Sequence, residues 1–439
     1  MPGGASSPIR ALDPDRFQVP VRDPVWKHVW LSEPLRDIYG SAPFLRLYRI
    51  KQLGPTELIY PGATHSRASH SVGVYALAFR LLRVLVSRGA DQWVTDTGCA
   101  SFLAAALLHD LGHFPYTHSL KELPLENHEE LTAALMRSEP LRSLIGDSGA
   151  DPDMAAAIVS PAASGTAGAP GEDDETVFFQ SLLSGVLDPD KLDYLNRDAY
   201  YCGVPYGLQD TEYVLSRVQP DRRRGIVLDS ESVISVESVL FSKYLMYRSV
   251  YWHRQVRIAT AMMKKSLYAL LRDKTVSPET LYSLDDEGLY RLLGSIAHPD
   301  AEIGMGIRER RLYRILAEYR FSESDPGMKP LEDLERRSEA ERHLSERISR
   351  ETGIRLTETD VLIDIPERIS FESDLFVADE AKPFSESSTV FNRSTVDKFT
   401  ASLRKVRIAV RPEIAQRLSG ARLTSENLAE WTGLRYTVD

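Results

Sequence analysis

One short segment constrains this chain more than any other: it extends from His109 to His118 and has the sequence HDLGHFPYTH. Three imidazoles and one carboxylate fall within these ten residues. The apolar run from Ala100 to Leu108 precedes it and predicts a buried helix, since no Gly or Pro occurs between Cys99 and Gly112. Buried ionisable groups are costly unless they are paired or bind a metal. The segment therefore predicts a metal site, rather than a helix end with a few capping histidines.

Two further candidate ligands lie outside this segment. His70 is predicted to begin a long apolar helix that continues through Val86, and Asp190 lies in another predicted helix. Together with His109 and Asp110 they provide two imidazoles and two carboxylates from three separate helical segments. This mixed set of nitrogen and oxygen ligands suits Mg²⁺, Mn²⁺, Fe²⁺, Co²⁺, Ni²⁺ or Zn²⁺, and it leaves coordination positions for water or a phosphate oxygen. Spacing alone does not establish that the four side chains converge.

Composition excludes several classes of protein. The chain has 439 residues, 43% of them hydrophobic, which is enough for a large core. Its formal charge of −10 argues against a general nucleic-acid binder but leaves room for a local basic pocket. Two cysteines, Cys99 and Cys202, provide no disulfide framework or zinc-finger spacing, which favours the reducing cytoplasm. We expect no secretory signal and no membrane span, because no run of 18 apolar residues occurs.

The pattern divides the chain into three parts. Residues 1–20 are rich in Pro, Gly and Ser and are predicted to be a mobile N-terminus. Residues 21–295 form a helical domain with the candidate ligands, interrupted by a flexible loop at about 160–175. Residues 296–439 form a smaller region of mixed α/β structure. The predicted fold class is therefore mainly α, with a helical core and a smaller mixed α/β C-terminal part.

The C-terminal part alternates between two kinds of pattern. Charged stretches at Arg308–Tyr319 and Leu331–Ile354 are typical of helices with a solvated face. Short apolar runs at Val361–Ile365 and Lys405–Val410 are typical of strands. No candidate for catalysis or metal binding was identified beyond residue 295 of this sequence.

Five motifs, in this order, resemble those of the HD-domain metal-dependent phosphohydrolases. Among these the chain is most similar to the deoxynucleoside triphosphate (dNTP) triphosphohydrolases, in particular the mammalian members that also carry a sterile-alpha-motif domain. The resemblance covers about residues 21–265, and we expect no sterile-alpha-motif domain in the roughly 20 residues before it. The motifs are Ile50–Gly54, Tyr60–Arg67, His70–Val74, His109–His113 and Asp190–Tyr194.

Carried over position by position, the resemblance implies a metal site with a group of catalytic residues beside it. His118 matches the family's catalytic histidine, and a histidine suits the role of an acid for the leaving oxygen. His113 matches a second active-site histidine near the phosphates. The implied metal ligands are His70, His109, Asp110 and Asp190. The implied catalytic residues are His118, His113, His128 and Glu129.

The resemblance also implies a binding site for a nucleotide. Arg67, Lys191 and Tyr194 would hold the triphosphate. Gln52 and Asp198 would hold the sugar 3′-hydroxyl. The ring of Tyr251 would exclude a ribose 2′-hydroxyl, and Lys243 stands where the mammalian relative has a phosphate-binding arginine. The implied substrate-binding residues are Gln52, Leu53, Arg67, Lys191, Tyr194, Asp198, Lys243 and Tyr251.

Three functions remain open at this point. The first is hydrolysis of dNTPs to deoxynucleoside and triphosphate. The second is the same chemistry on another nucleotide, such as an analogue triphosphate, a monophosphate or a guanosine alarmone. The third is a catalytically silent nucleotide-binding regulator, against which the intact metal set and His118 count. A homo-oligomer, either dimer or tetramer, and an allosteric nucleotide are expected from the resemblance alone.

The resemblance fails at one predicted regulatory site. Three residues that would contact an activating guanine nucleotide correspond here to Gly40, Leu45 and Tyr48. None of them can supply the charge-assisted or amide hydrogen bonds of an Asp, a Gln and an Arg. GTP is therefore predicted not to be an obligatory activator at this site. Arg46 and Arg49 lie close by in the sequence and could serve a substitute site.

Overall fold

Helices form most of the protein, as the predicted mainly α class requires. The computed structural model describes residues 9–161, 174–369, 375–421 and 423–434. The α-helices of this part of the chain are α1 (Glu33–Tyr39), α2 (Ala42–Arg46), α3 (Arg67–Ser87), α4 (Asp96–Leu108), α5 (His128–Met136), α6 (Leu141–Asp147), α7 (Pro152–Val159), α8 (Asp174–Leu183), α9 (Pro189–Cys202), α10 (Thr211–Arg217), α11 (Val233–Met246), α12 (Arg254–Arg272), α13 (Pro278–Tyr282), α14 (Asp286–Ser295), α15 (Pro299–Arg308), α16 (Leu334–Thr352), α17 (Arg393–Leu403), α18 (Pro412–Leu418) and α19 (Ser425–Thr432).

The strands are short and form small antiparallel sheets. Within the described residues, β5 (Arg314–Arg320) and β6 (Val361–Asp364) both pair with β9 (Lys405–Val410), so this sheet has the order β5-β9-β6. An apolar cluster on this sheet includes residues of α16 and α19, and it forms a C-terminal core. The predicted mixed α/β C-terminal part is confirmed. The strands are β1 (Val19–Asp23), β2 (Lys27–Leu31), β3 (Gln219–Asp221), β4 (Gly225–Val227), β5 (Arg314–Arg320), β6 (Val361–Asp364), β7 (Phe376–Val377), β8 (Lys382–Pro383) and β9 (Lys405–Val410).

Helices α3 and α4 form the centre of the helical core. Helix α3 begins at Arg67, three residues before the predicted start at His70, because the Ser66 side chain caps it by accepting from the backbone N–H of Ser69. Thr95 caps α4 in the same way through Gly98 N–H. Helix α3 has the length and composition of a membrane span, yet 67% of its most apolar window is buried inside the protein. It is thus a core helix here.

Two glycines allow the helices around the predicted site to approach closely. A Cβ atom at Gly73 of α3 would lie only 1.8 Å from the Oδ1 atom of Asp193 on α9. A Cβ atom at Gly112 would lie 2.3 Å from the backbone oxygen of His128 at the start of α5. Both distances are far below van der Waals contact, so α9 and α5 can reach their positions only because these side chains are absent.

One predicted helix of the C-terminal part is wrong. Arg308–Tyr319 was predicted to be helical, but α15 ends at Arg308 and β5 begins at Arg314. The end of β5 alternates strictly: Ala317 and Tyr319 are buried, whereas Glu318 between them is exposed. This two-residue period is the pattern of a strand with one face on a core. The predicted helix at Leu331–Ile354 and both predicted strands are present.

The predicted boundaries between the N-terminal part, the helical domain and the C-terminal region stay predictions. In the N-terminal part, Ala11 and Phe17 are buried, and residues 1–8 lie outside the described residues. Most of the predicted flexible loop, residues 162–173, also lies outside them. At the predicted boundary near 295, one apolar cluster joins Leu293 on one side to Ala301 on the other.

Candidate functional site

The four predicted metal ligands converge from the three predicted helical segments. His70 lies on α3, His109 and Asp110 follow α4, and Asp190 lies in the first turn of α9. The His70 Nε2 atom is 2.9 Å from Asp190 Oδ1 and 3.9 Å from Asp110 Oδ2. The His109 Nε2 atom is 3.4 Å from Asp110 Oδ1 and 3.9 Å from Asp190 Oδ1. Two imidazoles and two carboxylates therefore face one point.

The hydrogen bonds of both imidazoles prepare them to bind a metal. His70 Nδ1–H donates to Asp193 Oδ2 at 2.7 Å, and His109 Nδ1–H donates to the backbone oxygen of Ala106 at 2.9 Å. These contacts place a proton on the Nδ1 atom of each ring, so a metal ion that displaced any proton from Nε2 would meet the Nε2 lone pair. The His109 Nε2 atom is buried, and no described residue hydrogen-bonds to it. His70, His109 and Asp110 lie close enough together to hold a divalent metal ion, with Asp190 beside them, which confirms the predicted cofactor class without specifying the ion.

A second layer of buried charge holds His70. Asp193 accepts hydrogen bonds from His70 Nδ1, from Trp26 Nε1 and from Arg197, whose Nε and Nη2 atoms are 2.8 and 2.9 Å away. Arg197 also donates to Asp23 Oδ2 at 2.8 Å. The side chains of Asp193 and Arg197 are both 0% exposed. Asp193 is not among the residues predicted from the sequence, although its spacing of three residues from Asp190 and four from Arg197 places all three on one helix face.

The charged groups of the site shift one another's titration. Burial raises the pKa of Asp110, but His113 and Arg67 lower it more, so that pKa lies well below its usual value. The Arg67 Nη1 atom is 2.7 Å from Asp110 Oδ2, and both side chains are buried. Burial lowers the pKa of His70, whereas Asp190 and Asp193 raise it, to about 10. The carboxylates therefore make this point strongly attractive to a cation.

Three further histidines lie beside the metal cluster. The Nε2 atoms of His113 and His118 are 3.1 Å apart, and the ring centroids of His113 and His128 are 4.1 Å apart. His113 Nδ1 lies 3.2 Å from the backbone oxygen of Asp110 and donates to it, so its Nε2 atom accepts from His118 Nε2–H. These three histidines are themselves close enough to hold a metal ion. The hydrogen bond, however, explains the short distance between His113 and His118.

Loss of solvation inside the fold keeps these histidines neutral, although His118 itself is exposed at the cavity. This loss of solvation is the largest cause that lowers the pKa of His113 and of His118 well below the usual value, and Arg67 acts in the same direction. Burial also lowers the pKa of His128, to about 4. Glu129 follows His128 in the first turn of α5, and burial raises its pKa. At neutral pH the group therefore consists of neutral imidazoles, able to accept a proton when an anion binds nearby.

A cavity of about 570 Å³ adjoins both groups of histidines. Most of the predicted site residues line it, and the polar atoms Gln52 Oε1 and Arg67 Nε have no hydrogen-bond partner among the described residues. Such atoms are the ones a polar ligand would satisfy. The predicted residues that line the cavity are Gln52, Leu53, Arg67, His70, His109, Asp110, His118, His128, Glu129, Asp190, Tyr194, Asp198 and Tyr251.

Three predicted residues do not belong to the described lining of this cavity: His113, Lys191 and Lys243. His113 acts from behind His118, as described above. Lys191 donates through Nζ to Asp188 Oδ2 at 2.7 Å and to the backbone oxygen of Gly185 at 2.9 Å. Lys243 is buried on α11. The phosphate-binding roles of both lysines stay predictions.

Several lining residues were not predicted. Lys51 and Lys121 add positive charge to the cavity, and Tyr247 and Trp252 add aromatic surface. Residues 367–369, which follow β6, also line it. The C-terminal region thus contributes to the cavity, contrary to the expectation that the chemistry ends near residue 295. The sequence carried no signal for this, because the contact depends on how β6 packs beside α12.

The residues at the predicted guanine-nucleotide site, Gly40, Leu45 and Tyr48, are exposed, and none of them belongs to the described lining of the cavity. Leu45 and Tyr48 are both partly exposed, at 41% and 43%. Arg46 donates to the backbone oxygens of Leu111 and Leu284 at 2.8 and 3.0 Å. Arg49 binds Asp285 at 2.6 Å. Arg46 therefore forms hydrogen bonds within the fold, whereas Arg49 forms an ion pair with Asp285 at the surface.

Comparison with known proteins agrees with this geometry. The family model "HD domain" matches residues 67–161, and the model "HD associated region" matches residues 210–403. A solved structure of a phosphohydrolase from Bacteroides thetaiotaomicron is 25% identical, with a TM-score of 0.69, and the match covers 90% of this chain and all of that one.

Two curated relatives extend the comparison. The uncharacterized protein YwfO of Bacillus subtilis is 38% identical over 255 residues, which are 56% of this chain and 54% of the relative. The deoxynucleoside triphosphate triphosphohydrolase SAMHD1 of Bos taurus is 26% identical over 270 residues, which are 55% of this chain and 46% of the relative. The chain spans about half the length of the curated relatives it matches. Within residues 67–161 the chain is therefore similar to the HD domain, and this matched segment contains His70 and the adjacent His109-Asp110 pair, which lie together in the metal cluster.

Proposed function

We propose that this protein is a metal-dependent phosphohydrolase that cleaves dNTPs to deoxynucleoside and triphosphate. The observation that carries the proposal is that the metal cluster and His118 open into one cavity, which Gln52, Asp198 and Tyr251 also line. A site for a phosphate ester and a site for a sugar would thus be adjacent. A relative that is named as a dNTP triphosphohydrolase supports this substrate class.

The metal cluster would supply electrostatic catalysis. A divalent ion held by His70, His109, Asp110 and Asp190 would polarise the phosphoryl oxygen and lower the pKa of a water molecule. Arg67 lies next to this cluster, and its unpartnered Nε atom would donate to a phosphate oxygen. Lys121 lines the cavity beside His118 and would offset more of the negative charge.

His118 would protonate the leaving oxygen. Water attacks the α-phosphorus, the bond to the 5′-oxygen breaks, and that oxygen takes a proton from His118. The free histidine is neutral, since loss of solvation and Arg67 lower its pKa. A bound polyphosphate would raise this pKa, because its negative charge favours the imidazolium. The hydrogen bond between the Nε2 atoms of His113 and His118 would fix the ring, so that the Nδ1 atom of His118 carries the transferred proton.

The sugar would occupy the side of the cavity near α9. Asp198 would accept the one hydrogen bond that the 3′-hydroxyl can donate, and the oxygen of this hydroxyl would accept from the side-chain amide of Gln52, which also lines the cavity. Tyr251 donates to Asp198 Oδ2 at 2.7 Å, which fixes its ring next to the sugar. A 2′-hydroxyl would meet this ring, so dNTPs are expected to react faster than NTPs.

Incubation of the purified protein with each dNTP and NTP in Mg²⁺, Mn²⁺, Co²⁺ or Fe²⁺ tests the proposal, provided that the phosphate product is identified. We expect triphosphate from dNTPs, and loss of both activity and bound metal in Asp110→Ala and Asp190→Ala. Hydrolysis of only a monophosphate, an alarmone or an analogue would refute dNTPs as the substrate. It would support the second candidate function, in which the same site hydrolyses another nucleotide. Full metal content without hydrolysis of any nucleotide would refute the enzymatic function.

The remaining expectations about partners are also proposals. The expected homo-oligomer and allosteric nucleotide rest on the family resemblance alone. The cytoplasmic location rests on the low cysteine content of the sequence. Size-exclusion chromatography with light scattering, with and without dNTP, measures the oligomeric state directly.

A further inference from the structure

The buried histidine His65 connects both proposed sugar-binding residues, although our sequence analysis assigned it no functional role. Its side chain is 0% exposed, and its Nε2 atom lies 2.8 Å from Asp198 Oδ1. Its backbone oxygen accepts from Gln52 N–H at 3.0 Å. One residue therefore contacts the groups on both sides of the proposed 3′-hydroxyl site.

The surroundings of His65 fix its ring. The imidazole stacks on Tyr201, with 4.5 Å between ring centroids and an angle of 23° between the planes. No described residue hydrogen-bonds to its buried Nδ1 atom. The proton of a neutral ring is thus assigned to Nε2, where it donates to the carboxylate of Asp198.

Asp198 is held from two directions. Tyr251 donates to Oδ2 at 2.7 Å, and His65 donates to Oδ1 at 2.8 Å. Each carboxylate oxygen thus keeps one further lone pair for a ligand. Asp198 and Tyr251 line the cavity, whereas His65 does not belong to its described lining. Any effect of His65 on a substrate must therefore pass through Asp198 or Gln52.

The backbone around His65 completes this arrangement. Lys51 and Ser66 form an antiparallel bridge, and Arg67 N–H donates to the backbone oxygen of Ile50 at 2.9 Å. The segment that carries His65 is thus tied to the segment that carries Gln52.

We infer that His65 is a positioning residue for sugar recognition: it orients Asp198 through its Nε2–H and Gln52 through its backbone oxygen, so that both can bind the 3′-hydroxyl. This inference rests on the proposed function. If it is correct, the orientation of Asp198 depends on how far the hydrogen-bond donor at position 65 extends from the backbone. The amide nitrogen of Gln can occupy the place of imidazole Nε2, whereas that of Asn, one methylene shorter, reaches only the place of Nδ1.

The test compares His65→Asn with His65→Gln, using dATP and 2′,3′-dideoxy-ATP as probes. For each protein, kcat/KM is measured on both nucleotides, together with bound metal and Tm. We expect the wild type to prefer dATP and His65→Asn to lose about tenfold or more of this preference, because a charge-assisted hydrogen bond to Asp198 is lost. His65→Gln should keep the preference, and both variants should keep the metal.

The outcomes separate the two proposals. If the wild type hydrolyses neither nucleotide, the proposed substrate class is refuted. If it hydrolyses both without distinguishing them, the proposed 3′-hydroxyl site is refuted while the substrate class stands. The role of His65 falls in either case. If the wild type is selective and His65→Asn slows both nucleotides equally, His65 is merely structural and only the positioning role is refuted. An equal loss of selectivity in His65→Gln and His65→Asn would also refute it, since the reach of the donor would then be irrelevant.

Discussion

Asp193→Asn should damage the metal site without altering any metal ligand. Asp193 is the buried partner of both His70 and Arg197. An amide in its place keeps the shape of the side chain but removes its negative charge. Its N–H₂ group would also face at least one of the four N–H groups that now donate to Asp193, and two donors cannot form a hydrogen bond with each other. Arg197, which is 0% exposed, would keep only Asp23 as a carboxylate partner. Breaking a buried ion pair costs about 3–5 kcal/mol.

This cost is large compared with the stability of ordinary domains, about 5–15 kcal/mol. We therefore expect the free energy of unfolding to fall by about 3 kcal/mol or more, with the variant still folded. Loss of the partner that orients a metal-ligating histidine typically lowers metal affinity about 10–100-fold. The two effects have one cause, since His70 and Arg197 share the same carboxylate.

Asp153→Asn provides a matched control. Asp153 also binds two arginines, with 3.2 Å to Arg137 and 3.0 Å to Arg142, but its side chain is 55% exposed. Surface ion pairs contribute about 0–1 kcal/mol, so this variant should unfold nearly as the wild type does and keep its metal. Urea unfolding and metal titration of the three proteins measure both quantities. If Asp193→Asn matched Asp153→Asn in stability and metal affinity, our account of the buried network would be refuted.

Three further predictions concern the cavity and its surroundings. His118→Ala should keep the bound metal and lose about 10²–10⁴-fold in kcat, and loss of metal instead would make His118 a ligand. The free energy of unfolding should decrease as the pH falls from about 6.5 towards 4, because the unfolded chain takes up protons that the folded surroundings deny to His113, His118 and His128. The decrease should reach up to about 1.4 kcal/mol per pH unit for the buried His113 and less for His128 and His118, since His118 is exposed to solvent. Urea unfolding at pH 5 and 7 measures this, and equal values would contradict it. Hydrolysis of dATP should not require GTP, and strict dependence on GTP that is abolished by altering Leu45 or Tyr48 would show the opposite.

The sequence predicted the helical core well because its signals are local. An apolar run with a polar end places α4 and the His109-Asp110 pair, and capping residues such as Thr95 define where the helix begins. Strand β5 was missed because Arg308–Tyr319 is rich in charge, which resembles a solvated helix. Only pairing with β9 shows that Ala317 and Tyr319 face a core and that the charged residues alternate with them. A strand of this kind depends on a partner about 90 residues away, which no local pattern contains.

Within the site, the clustering of the predicted ligand residues was predictable, but the pairing of charges was not. Arg67 was predicted as a phosphate-binding cation, yet its Nη1 atom binds Asp110, itself a metal ligand. Lys191, assigned the same role, binds Asp188. These contacts depend on how α3, α4 and α9 pack, a property that residue types and motif spacing do not contain.

The ion pair between Arg67 and Asp110 affects how a metal ion and a phosphate would bind at this site. A divalent ion at the cluster and the Arg67 guanidinium would share the carboxylate of Asp110, and two cations on one carboxylate repel each other. The ion would therefore weaken the hold of Asp110 on Arg67. An incoming phosphate provides the guanidinium with a new anionic partner, and the Nε atom of Arg67, which has no partner among the described residues, provides the second donor of a bidentate contact. Binding of metal and of phosphate should thus favour each other, because each relieves the repulsion that the other would face alone.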